Sequence, residues 1–255
     1  MKDYLEYIHK LQIFTKDNIV QLTGSESSAK ELLRRYKKSR LVTQIRRNMY
    51  AANDLATKAV VVSKYQIGSN ITPTSYLAYH AAIEYHGLAS QIFNTVYVAT
   101  EQDFTNFDFD GTSFICCRSK MWNGVESQKY DSLIKVTNIE RTIIDCIDNI
   151  GLGGGLEELV LTLVLVPFVK EKLLVEYLNL YNKHTLYQKA GFILSYFQKE
   201  LNLSDNFFIR CKSKTGKNIT RLTNTGEDTK FNNKWKLYAP ENILSYLEQG
   251  GSAFV

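Results

Sequence analysis

The chain has 255 residues, 44% of them hydrophobic and 22% charged, a balance that fits a folded globular protein and excludes a disordered or fibrous one. Its length allows two domains of ordinary size. The formal net charge is +5, yet residues 1 to 50 hold eleven Lys or Arg against five Asp or Glu, so the basic character belongs to one segment. That is the footprint of a polyanion-binding surface, or more plainly of a solvated basic face.

The N-terminal MKDYLEYIHK carries charges in its first turns and no cleavage-site pattern, so it does not read as a signal peptide. The longest apolar run, Leu159 to Val169, is interrupted by Pro167 and falls short of the ~20 residues that span a bilayer. It reads as a buried helix. Cys116, Cys117, Cys146 and Cys211 lack metal-ligand spacing and are expected as reduced core residues of a cytoplasmic protein.

In chain order, Leu5, Ile8 and Leu11, with Tyr4 and Tyr7 alongside, predict a helix with one buried face. A second helix should start at Thr15 as N-cap and end at Gly24. A third, SESSAKELLRRYKK, should be capped by Ser25, leaving the short glycine-containing turn of a helix-turn-helix. On a helical wheel Ala29, Leu32, Leu33 and Tyr36 form one side of it. Ser27, Glu31, Arg34 and Lys38 form the other, flanked by Lys30 and Arg35. Such a helix can bury one face and offer the other to a major groove.

Next, alternating Leu41, Thr43 and Ile45 predict a strand, Met49 to Ala52 its return, and Arg46, Arg47 and Asn48 the tip of a β-wing. The order of these parts predicts a winged helix-turn-helix over residues 1–55. Its expected DNA contacts are Ser27, Ser28, Lys30, Arg34, Arg35, Lys37, Lys38, Arg46, Arg47 and Asn48. Each part alone also reads as ordinary solvated surface.

Residues 56–255 read as a mixed α/β C-terminal domain, with 56–75 as a connecting region and α+β as the overall class. Leu55 to Ile67 and Tyr76 to Leu88 look helical. NTVYVAT, Thr112 to Arg118 and Asp131 to Val136 look like strands, and Asn138 should cap the helix IERTIIDCID. A glycine loop, 151–155, leads into three helical stretches ending near Leu201. FFIRCKSK, NITRLTN and KWKLYAP then read as strands, and a last helix should start at Pro240 and stop at Gly250.

In FFIRCKSK, Arg210, Lys212 and Lys214 alternate and would share one strand face, with Lys217 and Arg221 nearby. That face is either a second contact surface or ordinary edge charge. The glycines at 153–155 lack the lysine and hydroxyl of a phosphate loop. His80 and Glu84 share a helical face and His86 lies off it, which argues against a metal site. Arg141 and Asp145, four apart beside Glu140, are in reach of an intrahelical ion pair. No catalytic residues, metal or cofactor are expected, and the chain reads as a binding protein rather than an enzyme.

The chain resembles the AbiEi family of antitoxin-regulators from bacterial abortive-infection, or type IV toxin-antitoxin, systems. The resemblance runs through RRNMYAAND, ITPTSYLAYHAAIEYHGLASQIFNTVYVAT, KVTNIERTIIDCIDNIGLGGGLEEL and LYQKAGFILSYF, with His80 standing where many relatives carry a small or hydroxyl residue. Because a single winged helix reads only a few base pairs, two copies on inverted repeats in the protein's own promoter are expected, paired as a dimer either free or only on DNA. The resemblance implies an N-terminal winged helix that represses its own operon. It also implies a C-terminal antitoxin domain opposing a nucleotidyltransferase-like toxin without a stable complex. Two other expectations stay open: a winged-helix repressor with a ligand-sensing C-terminal domain, and a metal-dependent DNA-processing enzyme.

Overall fold

A computed structural model describes residues 4–223, 225–226 and 229–250. The N-terminal part comprises α1 (Tyr4–Leu11), β1 (Ile13–Phe14), α2 (Lys16–Thr23), α3 (Glu26–Lys38), β2 (Val42–Arg46) and β3 (Met49–Ala52). Its boundaries follow local chemistry. Thr15 and Asn18 form a reciprocal capping box on α2, and Gly24 ends that helix at φ 80°, where a Cβ would be strained. The Ser25 hydroxyl then accepts from the Ser28 amide and opens α3.

The three strands form an antiparallel sheet in the order β1-β3-β2. Val42, Tyr50 and Ala52 on one face pack with Ile8, Phe14, Ile19, Ala29, Leu32 and Leu33 from the helices. Ile45, Met49 and Ala51 on the other face join the core of the central sheet. A register shift between Gln44 and Arg46 resets the alternation. The buried residues of β2 are therefore Val42 and Ile45, not the alternating Leu41, Thr43 and Ile45 read from sequence.

The helix expected from Leu55 is a turn instead. Asp54 Oδ1 accepts from the amides of Ala56 and Thr57 and from the Thr57 hydroxyl, closing the chain locally before helix can propagate. Helix α4 (Lys64–Ser69) starts only at the Ser63 cap. Likewise Tyr76 and Leu77 pair into the sheet as β4 (Tyr76–Leu77). Tyr79 at φ 54° separates that strand from the short α5 (His80–Tyr85), where one continuous helix was expected.

With β5 (Thr95–Thr100), β6 (Phe107–Phe109), β7 (Thr112–Arg118), β8 (Val125–Ser127) and β9 (Lys135–Thr137), β4 builds a six-stranded mixed sheet in the order β6-β7-β5-β4-β9-β8. One sheet face buries Leu77, Val96, Val98, Phe114 and Val136 against Ile67 of α4 and the N-terminal part. Cys116 and Cys117 on β7 are half-buried rather than core residues, whereas Cys146 and Cys211 are buried.

Helices α6 (Ile139–Asp148), α7 (Leu156–Leu165), α8 (Glu171–Tyr181), α9 (His184–Ser195) and α10 (Asp205–Ser213) share one large apolar cluster. Asn138 caps α6 as expected, its side chain accepting from the Arg141 amide at 2.9 Å. Strands β10 (Thr220–Arg221), β11 (Lys230–Asn232) and β12 (Leu237–Ala239) form a small sheet. The last helix among the described residues, α11 (Ser245–Gly250), starts five residues later than the expected Pro240. Asn224, the end of the predicted strand NITRLTN, lies outside the described residues. The whole is α+β, and among the described residues no helix is long and apolar enough to cross a membrane.

Candidate nucleic-acid interface

The sequence of α3 sorts itself by side. Ala29, Leu32 and Leu33 are buried and Tyr36 is half-buried, which pins one side against α2 and the sheet. Ser27, Ser28, Lys30, Arg34, Arg35, Lys37 and Lys38 are exposed. Seven of the ten residues expected to meet DNA thus stand on the solvent side of one helix. Near its start the Lys16 ammonium bonds to Glu26, and that contact holds the Glu26 carboxyl below its ordinary range. Lys37 Nζ donates to Gln44 Oε1 at 2.9 Å, steering it toward β2. The sequence marks Lys16 and Gln44 only as polar residues at the first turn of α2 and on the open side of β2, so neither stands among the expected contacts.

The hairpin tip differs from expectation. Arg47 is exposed on the turn, but Arg46 folds back, its guanidinium 5.5 Å from the Phe104 ring and 5.0 Å from the Phe107 ring. Its Nη1 is buried without a hydrogen-bond partner among the described residues, and burial lowers its pKa. The register shift that turns β2 also aims Arg46 at the central body, where cation–π attraction replaces water. Asn48, at φ 61°, spends its side-chain oxygen accepting from the Lys16 amide at 3.0 Å. Arg47 and Asn48 are both exposed, and of the three tip residues only Arg47 has no side-chain partner among the described residues.

The second basic group does not lie on a strand. Ser204 caps α10 by accepting from the Phe207 amide, and Phe207, Phe208 and Cys211 bury at helical spacing. Arg210 and Lys214 are therefore four apart on one side, whereas Lys212 points elsewhere and donates to the Lys234 carbonyl. Lys217 is exposed beyond the helix, and Arg221 on β10 lies 5.3 Å from the Tyr238 ring. The common strand face expected for Arg210, Lys212 and Lys214 is not formed.

The acidic and histidine groups are internal. Arg141 Nε donates to Asp145 Oδ1 at 2.5 Å, with both side chains 2% exposed, and the Tyr181 hydroxyl donates to the same oxygen at 2.5 Å. Burial alone would lower the Arg141 pKa, but the adjoining Asp145 carboxylate outweighs it and carries the value up. Glu140 accepts from the Lys170 amide at 2.7 Å, tying α6 to the start of α8. These contacts brace helices.

His80, fully buried and stacked on Phe93 at 3.8 Å, sets Nε2 3.2 Å from Glu158 Oε1 and Nδ1 3.8 Å from Glu84 Oε2. His86 instead bonds the Thr137 carbonyl at 2.7 Å. Among the described residues no group of three His, Cys, Asp or Glu side chains is placed to hold a metal ion. A cleft of about 530 Å³ lies beside the glycine loop and the start of α7. Asn149, Gly154, Glu157, Lys189 and Thr223 are among its lining residues.

Fold and surface together define an α+β protein with an exposed basic helix near its N-terminus. No family model matches the chain, and no curated protein matches it. Among solved structures it is similar to the crystal structure of the RV2827C protein from Mycobacterium tuberculosis. The TM-score is 0.67 at 13% identity, over 97% of this chain and 93% of that one. At that identity the likeness speaks for a shared fold.

Proposed function

We propose that residues 1–55 are a winged helix-turn-helix that binds duplex DNA at inverted repeats in the protein's own promoter. In this reading α3 is the recognition helix, and residues 56–255 act as the antitoxin of a type IV toxin-antitoxin phage-defence system. They oppose a nucleotidyltransferase-like toxin without a stable complex, by binding and not by catalysis, and the protein works in the cytoplasm as a dimer on DNA. The observation that carries the DNA-binding half is the sided composition of α3, with Ala29, Leu32 and Leu33 buried and Lys30, Arg34, Arg35, Lys37 and Lys38 exposed. The antitoxin half rests on the sequence resemblance to the AbiEi family.

The test is binding to the protein's own promoter as a function of salt. Log affinity should fall steeply with log salt, and each lost phosphate contact should lower the slope by about 0.9. Arg47→Ala should produce such a loss. Arg46→Ala should leave the slope unchanged and lower thermal stability, because its guanidinium sits between Phe104 and Phe107. Salt-independent binding by the wild type counts against the reading, and so does a footprint on a single isolated half-site.

A second reading, a repressor with a ligand-sensing C-terminal part, has the 530 Å³ cleft beside α7 in its favour. A gene for a nucleotidyltransferase next to this one would argue for the first.

A further inference from the structure

The outward side of α3 is basic except at its centre. Ser27, Glu31, Arg34 and Lys38 follow one another along it, opposite the buried Leu32 and Leu33. Two acids belong to this helix, and they are treated differently. Glu26 is joined to Lys16 and so is locally neutralised. Among the described residues Glu31 has only a long contact, Oε1 to Arg34 Nη2 at 3.9 Å, with the two side chains 75% and 80% exposed. A carboxylate this exposed and this loosely paired, in the middle of a surface that meets phosphates, is a cost, since it repels every duplex alike. That cost is offset only where the duplex presents a hydrogen-bond donor to it. In the major groove the donors are the exocyclic amines, N4 of cytosine and N6 of adenine, and carboxylates pair with the cytosine amine.

We infer that Glu31 is a specificity-determining residue that accepts from cytosine N4, while Arg34 donates to guanine O6 and N7. This rests on the reading of α3 as the recognition helix. The two residues are three apart, a rise of about 4.5 Å along the helix, against ~3.4 Å between base pairs. They therefore reach one G·C pair, whose major-groove edge offers both the acceptors and the donor, or two neighbouring pairs. Glu31 acts on both sides of the discrimination: it rewards a correctly placed cytosine and penalises sequences without one.

The experiment is selection from random duplexes, followed by measured affinities for the selected and a scrambled duplex at one salt concentration. The full-length wild type is compared with Glu31→Ala, Glu31→Gln and Arg34→Ala. Glu31 is exposed, so its variants should melt at the wild-type temperature, which confirms that they fold. The wild type should enrich a G·C-containing half-site. Glu31→Ala should lose the cytosine preference at one position, by ~5- to 150-fold, and bind scrambled duplex more tightly. Glu31→Gln should move that position toward adenine, which a glutamine amide reads through two bonds. If Glu31→Ala selects the same half-site with the same ratio of specific to scrambled affinity, the inference is wrong while the reading of α3 stands. If the wild type enriches no sequence and binds no duplex in a salt-dependent way, both fall together.

Discussion

At the scale of single residues, the deepest polar contacts hold elements together. Glu158, 2% exposed, accepts from the Ser90 amide at 2.9 Å and from the Ser90 hydroxyl, and faces His80 Nε2 at 3.2 Å. It thereby fastens α7 to the segment after α5. Burial pushes its carboxyl pKa up, but the hydrogen bonds from His80 and Ser90 prevail, and the net displacement is downward from the ordinary 4.5. A carboxyl whose pKa is depressed by folding stabilises fully above its unfolded value and loses that contribution as pH falls through its folded value. The protein should therefore melt progressively lower as pH drops below 4.5. Glu158→Gln should cost roughly 1–3 kcal/mol near neutral pH, and its melting temperature should depend less on acid. Parallel melting curves for both proteins between pH 6 and 3 check this; an unchanged acid limb in the variant would assign the loss to other carboxylates.

Elements show where sequence reading succeeds and where it stops. Caps at Thr15, Ser25 and Asn138 were legible because each acts within three or four residues. The helical cluster after Gly155 was legible because its apolar runs are long. By contrast the sequence of α10 reads as a strand, since the window FFIRCKSK begins after the Ser204 cap and its alternating cations mask the spacing of Phe207, Phe208 and Cys211. The reason for Gly191 was equally out of reach. It sits inside α9, where glycine costs ~1 kcal/mol against alanine, so propensity alone favours Gly191→Ala. But a Cβ at Gly191 would stand 2.2 Å from the ring of Trp235, which is 1% exposed and distant in sequence. Overpacking of a rigid ring costs ~1–3 kcal/mol or more and should prevail over the propensity gain. Gly191→Ala is thus expected to lower the denaturant midpoint, and Trp235→Leu, which removes the ring, to make the same substitution nearly neutral or favourable. Equal effects of Gly191→Ala in both backgrounds would break the link.

Over the whole molecule, the decisive feature is that the N-terminal sheet is buried on both faces. Its helix side packs Val42, Tyr50 and Ala52, and its far side packs Ile45, Met49 and Ala51 into the same core as Val96, Val98 and Phe114. Gln66 adds a polar seam, donating to Asp131 at 2.8 Å and to Gln12 at 3.5 Å. None of this was legible in sequence, where the wing looked free, because Phe104 and Phe107 lie some sixty residues beyond Arg46 and carry no local mark of the contact. The arrangement holds the proposed recognition helix in a fixed orientation on the body. It also means that cutting the chain near residue 55 or 70 bares apolar surface on both products, so truncation confuses lost function with lost folding. The proposed function treats repression and antitoxin action as separable, and that proposal must be tested in the full chain, with exposed residues changed and Arg46 left in place. Full-length protein carrying Arg34→Ala and Arg47→Ala should fold normally and fail to repress its promoter. Co-expressed with the proposed cognate toxin from an unrelated promoter, it should still rescue growth, because the proposed antitoxin part is residues 56–255. Growth rescue confined to DNA-binding-competent protein would mean instead that the two activities share the exposed face of α3.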